Sequence, residues 1–268
     1  MNPSRSFVLA IALCALATRA SAYPGGTPGD VTDVAPFCAG CHSSVSEDQL
    51  QGLPPQRATA EVVANKHIAK IKAAAADSAY AKLSPAERDE LIAGIQKIDA
   101  ATTVKLSVPA SVKSGEPVDV TVEVHGGSAP VLGIALVDAN QRFQAAPATS
   151  RGWLVLDKPQ VTGPDGQPQT KFTDNRNPAL PPGITYVNVY GIEADPSAGK
   201  FSTVKVSWKL RAPAQAGTVP LAAVLLYGTE ISSPHGGVES AYGKSPLGGM
   251  TGSSGRVKFS DVAQVAVK

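Results

Sequence analysis

The stretch Val118-Asp119-Val120-Thr121-Val122-Glu123-Val124 decides how the larger part of this chain folds. Valine alternates with Asp, Thr and Glu along its whole length. On an extended backbone successive side chains point to opposite faces, so this pattern gives one apolar and one polar face. On a helix the same valines would be scattered around the circumference. A turn-forming run, Lys113-Ser114-Gly115-Glu116-Pro117, precedes it, and Lys105-Leu106-Ser107-Val108 alternates in the same way before that turn.

Toward the C-terminus the strand signal recurs. Leu132–Val137, Trp153–Leu156, Thr185–Tyr190, Ser202–Trp208, Pro220–Tyr227 and Val257–Val267 are candidate strands separated by Gly, Pro, Asn and Asp. Helix signals are absent here. About eight strands between residues 103 and 268 predict a β-sandwich of immunoglobulin-like character. The long connections Asp174–Gly183 and Gly228–Arg256 are expected to be functional or disordered loops. The second carries His235 and Met250.

Toward the N-terminus the period becomes helical. Ser84 suits an N-cap, Pro85 the first helical position, and Glu87 completes a capping box. Leu91, Ile95 and Ile98 follow at helical spacing, flanked by Ile92. A second helix is expected from Thr59 to Asp77, with Ala60, Val63, Ala64, His67, Ile68, Ile71, Ala74 and Ala75 on its apolar stripe. The fold class expected is multi-domain α plus β: a small helical domain over residues 23–102, then the sandwich over 103–268.

Residues 1–22 read as a cleavable signal peptide. Arg5 is its basic start, Phe7–Ala17 its apolar run, and Ala20-Ser21-Ala22 its cleavage site. The apolar run is too short to span a bilayer, and no later stretch is long and apolar enough to do so. A periplasmic or secreted protein follows. Of the three cysteines, Cys14 falls in the signal segment, which leaves Cys38 and Cys41. Two of the 24 Lys and Arg, Arg5 and Arg19, lie in residues 1–22, and none of the 22 Asp and Glu does, so the remainder is balanced. That balance gives no electrostatic case for nucleic acid as a partner.

Cys38-Ala39-Gly40-Cys41-His42 carries the chemistry. Thiols three residues apart lie on neighbouring positions of one helical turn. They can each form a thioether to one haem c, and His42 can supply the proximal iron ligand. The rivals are a thioredoxin-like disulfide, which expects a preceding strand, and a zinc site, for which adjacent Cys41 and His42 are awkward.

With Gly52-Leu53-Pro54-Pro55 and the helix from Ser84, this motif resembles class I cytochromes c. That resemblance implies a helical haem domain in which Pro54 lies where the family's loop proline sends a carbonyl to the proximal His. The family usually places an aromatic on the last helix, and none stands between Ser84 and Ala100. Separately, Trp208-Lys209-Leu210-Arg211-Ala212-Pro213 followed by Gly217-Thr218-Val219 resembles a strand-turn-strand of reelin-like domains. This implies a sandwich in an extracellular setting, often with C-x-x-C-H upstream.

Class I cytochromes usually add a distal Met before the last helix, and this chain has none there. His67, on an apolar helical face, is the expected distal ligand. A core histidine bonded to a carbonyl is the bland alternative. Met250 and His235 are the other candidates, and an open iron is a further one. His125, ending a strand, is expected at the surface. The sandwich holds no catalytic constellation: no Gly-x-Ser-x-Gly, no paired Cys/His set and no phosphate loop. Three functions are expected, the first ahead of two equal alternatives: electron carrier with a redox partner protein; five-coordinate sensor or peroxide-reactive enzyme; and surface adhesion protein carrying a haem.

Overall fold

The computed structural model describes residues 63–128, 131–140, 146–169, 185–229, 239–240, 243–244 and 255–268. The expected signal peptide, the Cys38–His42 motif, Pro54, the Asp174–Gly183 loop, His235 and Met250 lie outside the described residues.

Helix α1 spans Val63–Ala73 and helix α2 spans Pro85–Ala101. His67 and Ile71 are fully buried on α1, and Ile68 packs beside them. The helix stops short of the expected Asp77, because Ala74 takes the left-handed conformation with φ of 42°. That conformation costs a residue with a Cβ about 1–2 kcal/mol. The turn it makes brings Tyr80 and Leu83 back onto Ile71, Ile92 and Ile95, and this small apolar cluster offsets the strain. The capping box on α2 is formed: Glu87 N donates to Ser84 Oγ at 3.3 Å, and Ser84 N donates to Glu87 Oε2 at 2.7 Å. Ile92, Ile95 and Ile98 are its buried residues, while Leu91 is only half-buried. The inward stripe therefore starts one position later than the spacing predicts.

Among the described residues fifteen strands follow: β1 Thr103–Ser107, β2 Ser111–Val112, β3 Pro117–His125, β4 Val131–Val137, β5 Leu154–Val155, β6 Gln160–Thr162, β7 Tyr186–Tyr190, β8 Ala194–Asp195, β9 Lys200–Phe201, β10 Thr203–Arg211, β11 Gly217–Gly228, β12 Glu239–Ser240, β13 Gly243–Lys244, β14 Gly255–Phe259 and β15 Ala263–Val267. One sheet runs β1-β3-β10-β5, with β6 also on β10. The second large sheet runs β2-β15-β11-β4-β7, with β14 also on β11, and β8-β9 and β12-β13 are separate two-stranded pairs. The two large sheets face each other across one core, so the larger part of the chain is a β-sandwich.

The valines of β3 alternate as the sequence predicts. Val118, Val120, Val122 and Val124 are buried, and Asp119 and Glu123 are exposed. Burial of each is worth about 1.5–3 kcal/mol relative to leaving it in water. Trp208 on β10 lies opposite Val120 and is buried with it. From the other sheet, Leu132, Ile134 and Leu136 of β4 and Leu221, Ala223 and Leu225 of β11 join the same core. The run Trp208–Val219 links the two sheets: β10 belongs to one and β11 to the other.

The single strand expected over Val257–Val267 is two. β14 pairs with Val224–Gly228 and β15 with Gly217–Leu221, both on β11. At the break, Ser260 Oγ accepts the Ala223 N–H at 2.9 Å, while Ser260 N donates to Ala223 O at 2.9 Å. The seryl side chain so completes the ladder where the strand bends. The predicted Trp153–Leu156 strand shrinks to Leu154–Val155, and Trp153 itself lies in the core.

Thr102 alone separates α2 from β1. Its Oγ1 donates to Ile98 O at 2.7 Å and accepts from Gly127 N at 2.9 Å. Gly126 has φ of 103°, and a Cβ there would stand 2.5 Å from Thr102 Cα. Only glycine allows both this backbone conformation and this approach.

Candidate functional site

The described part of the candidate site begins with His67, which α1 buries completely. Its Nε2 lies 2.9 Å from Tyr80 Oη, and its Nδ1 lies 3.1 Å from Arg256 Nη2. Arginine has donors and no acceptor. Nδ1 is therefore the accepting nitrogen, and the ring proton sits on Nε2, where it is donated to Tyr80.

Arg256 comes from β14 and is itself fully buried. An unpaired guanidinium in that position would be costly by several kcal/mol. Its Nε donates to Asp99 Oδ2 at 3.1 Å, and Tyr227 Oη donates to Asp99 Oδ1 at 2.9 Å. Tyr227 and Arg256 are direct register partners on β11 and β14, so adjacent strands present two donors to one carboxylate of α2. Next to them, Lys258 Nζ donates to Asp99 O at 2.9 Å and Thr102 O at 2.6 Å. These carbonyls close the C-terminal end of α2, where a cation also meets the negative end of the helix dipole. Burial holds the Lys258 ammonium below its usual pKa of 10.5, and the Asp99 carboxylate opposes that shift.

His67 was expected as the distal iron ligand. As placed, both of its ring nitrogens hold hydrogen bonds inside the protein. An iron at Nε2 needs that nitrogen without its proton. The proton would then sit on Nδ1 and face the Arg256 guanidinium. Ligation through Nδ1 would require Arg256 itself to move away. In this arrangement an iron could reach either ring nitrogen only if these hydrogen bonds rearranged. Cys38, Cys41, His42, His235 and Met250 lie outside the described residues. His125 ends β3, is partly exposed, and pairs through Nδ1 with Thr203 Oγ1 at 2.9 Å. Among the described residues, no group of three or more His, Cys, Asp and Glu could hold a metal ion, and no helix is long and apolar enough to cross a membrane.

Asp99, Tyr227, Arg256 and Lys258 were not singled out in the sequence. One signal for Asp99 was there: Ile92, Ile95, Asp99 and Thr102 are spaced three, four and three apart, which puts the acid on the buried stripe of α2. Arg256 and Lys258 alternate with Val257 and Phe259, a pattern that reads as a solvent-facing side. That side is covered by α2, which local periodicity cannot reveal.

No family model and no curated protein matches the chain. Among solved structures it is similar to the CARDB domain of a Pyrococcus furiosus protein in complex with di-metal ions, at 10% identity and a TM-score of 0.26, covering 62% of this chain and 87% of that one. The sandwich described above rests on this chain's own strand pairing.

Proposed function

We propose that this chain is an exported mono-haem c-type protein that passes electrons to a redox partner protein, with the β-sandwich as the docking module. The observation that supports this is Cys38-Ala39-Gly40-Cys41-His42, which contains both cysteines found beyond residue 22. An exported chain with two cysteines in one C-x-x-C-H is better accounted for by covalent haem than by a disulfide framework. Cys38 and Cys41 would hold the haem c and His42 its iron, and the group would supply one-electron chemistry. The class I cytochrome-like reading of residues 23–102, the immunoglobulin-like or reelin-like affinity of the sandwich, and a periplasmic or secreted location belong to this proposal. No nucleic-acid partner and no membrane span beyond residue 22 are part of it.

The hydrogen bonds on His67 favour a second reading of the distal side. With His67 held by Tyr80 and Arg256, this reading takes His235, Met250 or an open position as the sixth site. An open position would suit a gas sensor or a peroxide-reactive enzyme better than a carrier. The sequence of the sandwich offers no catalytic set, so electron transfer remains the reading put forward.

The test is export of the full chain in a host with haem-maturation machinery, followed by intact mass and ferrous spectrum. One covalent haem, lost in the Cys38→Ser/Cys41→Ser pair, is the expected result. A chain exported with two free thiols or one disulfide and no haem overturns the proposal.

A further inference from the structure

We infer that His67, Asp99, Tyr227 and Arg256 form a polar latch that fixes the two-helix hairpin onto the sandwich as a separately releasable unit. The apolar contacts divide in a telling way. Ile71, Tyr80, Leu83, Ile92 and Ile95 make a cluster of their own within the hairpin. Among the described buried residues, Ile98 is the hairpin's one member of the main core. Among the described residues, the apolar link across this joint is therefore centred on Ile98. The polar contacts that cross it are directional: Tyr227 Oη and Arg256 Nε to the Asp99 carboxylate, Arg256 Nη2 to His67 Nδ1, and Lys258 Nζ to two carbonyls at the end of α2.

A fully buried Arg256 is satisfied by groups from both helices at once, Asp99 from α2 and His67 from α1. A rotated or displaced hairpin would leave that guanidinium desolvated and short of a partner, which is far more costly than the loss of an apolar contact. The latch thus permits one seating of the hairpin. This also gives His67 a positioning role that does not depend on any bound group, so the inference stands or falls apart from the haem proposal.

Hydrogen–deuterium exchange of the full chain tests it, with Arg256→Met and Tyr227→Phe beside wild type. Tyr227→Phe keeps its ring in the core and removes one hydroxyl, so it retains the fold if Arg256→Met does not. The expected result is amide exchange about tenfold or more faster in α1 and α2, with β3 and β10 unchanged, as for a local opening unit. The smaller lesion should show the same pattern with a smaller factor. Equal acceleration in β3 and β10 would overturn the inference, because the hairpin would then be part of one cooperative unit. Unchanged helix exchange in both variants would overturn it too.

Discussion

Arg256 Nη2 stands 3.1 Å from His67 Nδ1, joining residues 189 positions apart in the chain. The same guanidinium holds Asp99 through Nε, so one side chain from β14 ties α1 and α2 to a single point.

Removing the carboxylate should therefore be worse than removing the pair. Asp99→Ala leaves Arg256 buried with its main counter-charge gone, and a loss of about 3–5 kcal/mol is expected. Asp99→Ala/Arg256→Met replaces the uncompensated charge with an apolar chain and should recover part of that loss. Urea denaturation of both variants checks this. A double variant no more stable than Asp99→Ala would show that Arg256 is not destabilising when unpaired.

Lys258 makes a pH prediction whose sign follows from its environment. Burial lowers its pKa in the folded protein below the usual 10.5, against the pull of Asp99. The unfolded chain therefore binds this proton more tightly, and the folded state carries the whole penalty at neutral pH. The penalty shrinks as pH rises through the lowered value toward 10.5. Compared with Lys258→Met, the wild type should gain stability as pH rises toward 10.5, read as the difference of the two denaturation curves. A difference that stays flat or falls over this range would contradict the assigned shift.

Gly126→Ala should destabilise strongly for a single methyl group. The added Cβ meets Thr102 Cα at 2.5 Å, and the backbone is already at φ of 103°. Strain of this kind costs about 1–3 kcal/mol before any clash is relieved. Thermal melting is the direct measurement. Gly115→Ala offers a control: φ is also positive there, at 72°, but no atom lies within 4 Å of the added carbon.

If the haem proposal holds, His67→Ala should leave the ferrous α-band and the response to carbon monoxide as they are in wild type, while lowering stability by about 1–3 kcal/mol through the partners it leaves unsatisfied. A mutant that becomes sensitive to carbon monoxide when wild type is not would return His67 to the iron and require Arg256 to release it.

The sandwich was legible because its strands are amphipathic with a strict period of two. Val118–Val124 and Ser202–Trp208 show their buried faces directly in the residue order. The cap of α2 was legible for a similar reason, since Ser84, Pro85 and Glu87 act within one turn. What escaped was nonlocal. β2 gains strand character from Ala266 and Val267, and the break at Ser260 answers to Ala223. The polar cluster around Arg256 escaped for the same reason. Its members come from α1, α2, β11 and β14, and no window of sequence contains two of those helices and strands together with a reason to bury a guanidinium. His67 lies buried on the apolar face its spacing predicts, but one of its two partners, Arg256, is 189 positions away.

The one-residue link at Thr102 has a bearing on what insertions this chain can accept. An α-helix advances about 100° per residue. With no loop between Ala101 and Thr103, an extra residue in the last turn of α2 has no slack to absorb it. Either β1 slips by one place, exchanging its inward and outward faces against β3, or the helix turns and carries Asp99 about a quarter of a revolution away from β14. The junction works as a phase lock between a helical and an extended period, and length changes should be tolerated upstream of Ser84 far more readily than between Asp99 and Thr103.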